Sequence, residues 1–114
     1  MVNKFRIPEN KLINILKRDK NCVYCHKCMI YPYDINYRKD SATIEHLNFD
    51  GPFYWNKGLE EPDIVICCGQ CNSSRGIKKL SDWFKSDYCI TKNINKNTVA
   101  EPVKKYLIRK SENK

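Results

Sequence analysis

A chain of 114 residues with a formal net charge of +8 is the size of one domain with a modest core. No apolar stretch approaches the roughly 20 residues that cross a bilayer, and the opening "MVNKFRIPENKL" lacks the apolar run of a secretory leader. Membrane-spanning classes are therefore set aside and a soluble cytoplasmic protein is expected. Seven cysteines, an odd number in a chain read as cytoplasmic, favour metal-bound thiolates over a disulfide framework.

The charge is segregated. Residues 1–39 carry nine Lys/Arg against three Asp/Glu, residues 40–71 one against six, and residues 72–114 eleven against four. Two basic flanks around an acidic centre suit a polyanion held at its edges, with a cation pocket between them. A nucleic acid is the expected partner.

The elements follow in chain order. "PENKLINILKRD", residues 8–19, opens with a proline tolerated in a first helical turn and puts Leu12, Ile15 and Leu16 on one face, which predicts an N-terminal helix. Two short apolar runs, 42–47 and 63–67, read as strands of a hairpin with a long connection containing Asp50, Gly51 and Pro52. After "CGQC", the run "NSSRGIKK" suits a short helix, and Ser81 is placed to cap another turn in which Trp83 and Phe84 supply buried area. At the C-terminus Thr98 and Glu101 have capping-box spacing. Val99, Val103, Tyr106 and Leu107 share one face there, with Lys104, Lys105, Arg109 and Lys110 largely on the others. The chain thus divides into an N-terminal helix (1–21), a core (22–88) and a basic C-terminal helix (89–114) packed on that core as a single domain.

Cys22-x-x-Cys25 and Cys68-x-x-Cys71 are two knuckles, each able to present two thiolates to one tetrahedral ion. Such an ion would join segments distant in sequence that a small core holds poorly by itself. Cys28 continues the first spacing, Cys67 precedes the second knuckle and His26 adjoins a ligand, so other ligand sets exist. Cys67 and Cys89 read as buried thiols.

Between the knuckles, "SATIEHLNFDGP" sets the charged pair Glu45-His46 inside an apolar run. Together with "CVYC", "DIVICCGQCNSSRG" and "LSDWF", this stretch resembles the HNH endonucleases, in the branch whose two Cys-x-x-Cys knuckles bracket a strand, a loop, a strand and a helix. The resemblance covers about residues 22–84. It implies an α+β, zinc-stapled ββα-metal domain with flanking helices. It departs from the usual pattern twice, with Glu45 where the family has Asp and Asp63 where it has Asn. Small HNH proteins of this kind are frequent in phages, and a phage-encoded chain would work in the host-cell cytoplasm.

The resemblance implies a metal-dependent DNA endonuclease. Phosphodiester hydrolysis needs a deprotonated water, and a neutral imidazole with a pKa near ~6.5 is a suitable general base. His46 is the candidate. Glu45 and Asn72 are the oxygen ligands expected for Mg²⁺ or Mn²⁺, while Cys22, Cys25, Cys68 and Cys71 hold structural zinc. Arg75, Lys78 and Lys79, close behind Asn72, are the expected phosphate contacts, with Arg75 foremost. The alternative is a zinc-knuckle nucleic-acid-binding protein without catalysis. A zinc-stabilised protein-interaction module is a third reading, against which the segregated charge weighs.

Overall fold

In a computed structural model, residues 3 and 5–112 are described, with side chains up to Lys110. Among them are five α-helices and one two-stranded antiparallel sheet, in the order α1 (Glu9–Arg18), β1 (Ala42–His46), β2 (Ile64–Cys68), α2 (Gly69–Arg75), α3 (Leu80–Trp83), α4 (Asp87–Lys92) and α5 (Glu101–Glu112). The small α+β architecture expected from the sequence is present. No described helix is long and apolar enough to cross a membrane.

The hairpin organises the rest. Ala42 pairs with Cys68 and His46 with Ile64, and Leu47 N–H extends the ladder to the Asp63 carbonyl. Side chains alternate across a strand, so Ile64 and Ile66 join Leu12 and Ile15 of α1 in one apolar cluster. Val65 and Cys67 face the opposite way, into a larger cluster with Tyr24, Trp83 and Val103. Covered on both sides, β2 is buried at every position. The outer edge of β2 is also closed: Asp19 at the end of α1 accepts from Ile66 N–H, Arg18 donates to the Ile64 carbonyl, and Val23 N–H donates to the Ile66 carbonyl. Occupied edge groups leave no template for another strand.

Several boundaries differ from expectation for local reasons. The helix after the second knuckle begins at Gly69 and stops at Arg75, because Gly76 turns to φ +56°. Lys78 and Lys79 therefore lie beyond it. Ser81 is inside α3 and caps nothing, whereas Ser86 accepts from Cys89 N–H and starts α4, a helix absent from the sequence reading. Thr98 does not cap α5 either; its hydroxyl donates to the Asn93 carbonyl and accepts from Asn95 N–H in the preceding loop. Phe84 and Leu107 are only partly buried against the core.

Candidate metal centre and the cleft beside it

Each knuckle is shaped by a turn before any metal is considered. Cys22 N–H bonds to the Lys27 carbonyl and His26 N–H to the Cys22 carbonyl, with His26 at φ +66°. Cys68 lies between strand and helix, where its sulfur accepts from Cys71 N–H at 3.4 Å. Gly69 N–H reaches the Ser41 carbonyl. A side chain on Gly69 would collide with the Arg38 carbonyl, so the second knuckle presses directly on residues 38–41.

The four sulfurs of Cys22, Cys25, Cys68 and Cys71 lie within 4.8 Å of one another. Tetrahedral bonds of ~2.3 Å separate ligands by about 3.8 Å, and Cys25 Sγ stands 3.8 Å from Cys68 Sγ. The set fits a metal ion such as zinc. Hydrogen bonds from Cys22 and Cys71 hold the Cys68 thiol well down, while those with Cys22 and Cys68 push Cys71 upward. Tyr88 Oη, 3.2 Å from Cys71 Sγ, adds a donor beside the cluster. The alternative ligands lie elsewhere. His26 is exposed with Nε2 against the Thr98 carbonyl, Cys28 is exposed, and Cys67 and Cys89 are buried outside the group. Burial pushes the Cys67 thiol well up, as befits a core side chain.

The Glu45-His46 pair is divided between the two faces of β1. Glu45 shares a face with Thr43 and is 4% exposed; its carboxylate accepts from Tyr24 Oη and faces Arg75 at 3.6 Å. Burial raises the Glu45 carboxyl to about 7, against the opposing pull of Arg75. His46 is on the other face, its ring packed edge-on to Phe5 and tilted against Phe53 with centroids 4.6 Å apart.

The His46 Nδ1 atom lies 2.9 Å from the Asn48 carbonyl. A carbonyl only accepts, so Nδ1 carries the hydrogen and, in the neutral ring, Nε2 carries the lone pair. Asn48 in turn donates from Nδ2 to the Pro52 carbonyl, tying the 48–52 loop together. Its buried Oδ1 has no hydrogen-bond partner among the described residues. His46, Asn48, Phe49 and Phe53 line a cleft of about 280 Å³ closed on one side by Arg75 and Gly76.

Two expectations are corrected by this geometry. Arg75 is not a surface phosphate contact. It is 1% exposed, and its guanidinium donates to the carbonyls of Lys78, His46 and Leu47, absorbing the acceptors left where β1 ends. Nor does Glu45 fit a catalytic Mg²⁺ or Mn²⁺ as it stands, because its carboxylate is taken by Tyr24 and Arg75. Asn72 donates from Nδ2 to Thr43 Oγ1 and the Ile44 carbonyl at 3.0 and 3.3 Å, bonds that use its amide hydrogens and not its oxygen.

Lys78 and Lys79 are exposed, and the Lys79 ammonium lies 5.3 Å above the Phe49 ring. Asp63 binds Arg109 of α5 at 2.8 Å. The residues missed from sequence are Tyr24, Asn48 and the aromatic run Phe49, Phe53 and Tyr54. A loop that combines Gly51-Pro52 with so many rings was the available signal, since rings in a turn have little core to enter.

Comparison with known proteins finds no matching family model and no significantly similar curated protein or solved structure.

Proposed function

We propose that this chain is a zinc-stapled DNA endonuclease of the HNH kind, in which His46 takes the proton of the attacking water. The observation that carries the reading is the His46 Nδ1 contact with the Asn48 carbonyl, which sets the tautomer a general base needs. Zinc at Cys22, Cys25, Cys68 and Cys71 would supply no chemistry of its own, only the fixed relation of knuckle, hairpin and helix that holds this ring at the cleft.

The step asked of the site is simple in its balance. A water oxygen attacks phosphorus, its proton moves to Nε2 of His46, and the bond from phosphorus to the leaving sugar oxygen breaks as that oxygen takes up a proton from solvent. Phe5 and Phe53 pack against the ring and hold its plane, and the exposed Lys78 and Lys79 would meet phosphate charge. The buried Glu45 favours a second reading, a domain of the same build that binds nucleic acid without cutting it. Incubating the purified protein with supercoiled plasmid and with single-stranded DNA, with no added cation and with Mg²⁺ or Mn²⁺, separates the two. Relaxed or linear product supports the endonuclease, and only plasmid and single-stranded DNA both left unchanged under every condition leave the binder.

A further inference from the structure

A second groove lies beside the cleft at His46 and shares Phe49 with it. Phe49, 46% exposed, lines the cleft and also this groove of about 430 Å³ between the 47–50 loop, α3 and α5. Lys79, Lys96 and Lys110 stand along that groove, all exposed, against one carboxylate among the described residues, Asp50. The cations are interleaved with rings, Lys79 over Phe49 at 5.3 Å and Lys110 over Tyr106 at 5.6 Å.

This alternation of flat apolar faces and positive charge has a specific complement. The backbone of a nucleic acid supplies a negative charge at every step. Only unpaired bases offer their faces, because in a duplex each face is already stacked on its neighbour. A peptide of Asp and Glu would satisfy the lysines but has no ring for Phe49. We infer that the groove is a track for single-stranded nucleic acid, with bases stacking on Phe49 beside His46 and phosphates following Lys79, Lys96 and Lys110. The inference rests on the proposed role of His46 and narrows its substrate to unpaired strands.

Fluorescence anisotropy tests it, using a labelled oligothymidylate of about 12 nucleotides, within the span of known single-strand grooves. The measurement is made without added divalent cation and repeated with the same strand annealed to its complement. The single strand should bind more tightly than the duplex. Phe49→Ala and Phe49→Leu should each weaken it by about tenfold, since the leucine keeps apolar bulk but loses the ring. Replacing Lys96 and Lys110 together by Ala should lower the slope of log affinity against log salt by about 1.4, roughly 0.7 for each phosphate contact. Lys105→Ala, exposed and off the groove, should bind as wild type. Zinc content and circular dichroism show whether each variant is folded. Equal or tighter duplex binding, folded Phe49 and lysine variants that bind as wild type, or displacement of the strand by polyglutamate as readily as by unlabelled strand would each overturn the track. Binding read in this way needs no cleavage, so a strand that binds as expected but is never cut removes the catalytic reading alone.

Discussion

The Arg75 guanidinium lies 3.6 Å from the Glu45 carboxylate, and neither side chain is more than 4% exposed. The guanidinium ties α2 to the end of β1, where it donates to the carbonyls of His46 and Leu47 as well as facing Glu45. Removing it leaves those buried acceptors without a donor, at a cost of about 1–3 kcal/mol each. Arg75→Ala should show that loss in urea unfolding. Arg75→Lys should recover little of it, because an ammonium lacks the planar fork that reaches the carbonyls of His46, Leu47 and Lys78. The exposed Lys78→Ala should stay within about 0.5 kcal/mol of wild type. A surface phosphate contact at position 75 would give the reverse pattern, with stability kept and DNA affinity reduced.

Glu45 makes stability depend on pH. Burial raises its carboxyl from 4.5 to about 7. The folded chain therefore holds a proton that the unfolded chain has already lost. The associated stability is full below about 4.5 and is lost as pH rises through about 7. Between pH 6 and 8 wild type should lose about 1 kcal/mol relative to Glu45→Gln, which has no proton to release. Both proteins carry the same cysteines, so any pH effect on metal binding cancels in the difference. A constant gap between the two unfolding curves would show that Glu45 is ionised throughout this range.

The parts legible in the sequence are those fixed by local spacing. Two residues between cysteines are enough to make a knuckle, and short apolar runs such as Ile64 to Cys68 mark strands whatever surrounds them. The destination of a long side chain is not local. Arg75 follows Asn72 by three residues and looks like a surface cation. Only the fold reveals that β1 ends beside it with unpaired carbonyls for its guanidinium to fill. The same limit explains Thr98 and Ser81: cap-forming residues at cap spacing, with Thr98 drawn instead into the Asn93–Asn95 turn. Glu45 and His46 look like partners because they are adjacent, although strand alternation turns neighbours to opposite faces.

The cysteine geometry predicts the metal content. Purified protein should carry about one zinc per chain, and a strong chelator should abolish most of its ordered circular dichroism, since the four sulfurs join residues 22–25 to residues 68–71. Cys25→Ser, at a partly exposed member of the cluster, should lower zinc occupancy sharply. Cys28→Ser and Cys89→Ser, outside the cluster, should leave it unchanged. A folded protein containing no metal by elemental analysis would rule out this account of the cluster.

His46 decides whether the domain is an enzyme. Its ring is held by Phe5, Phe53 and the Asn48 carbonyl, so His46→Ala removes a positioned base and some ring packing. The base alone is worth about 10²- to 10⁴-fold in rate. His46→Gln supplies the packing control, because it fills much of the space and can still hydrogen-bond but does not take up a proton. Both variants should therefore lose plasmid and single-strand cleavage by at least about 10²-fold, while zinc content and oligonucleotide affinity stay near those of wild type. Raising Mg²⁺ or Mn²⁺ should not restore them, since the missing function is proton acceptance and not ion binding. Asn72→Ala offers the contrast. It breaks two hydrogen bonds between α2 and β1, so it should lose about 1–3 kcal/mol of stability and regain activity on cooling. Cleavage by His46→Gln at the wild-type rate would move the chemistry away from this ring, and the absence of cleavage by wild type under all conditions would make the domain a binder.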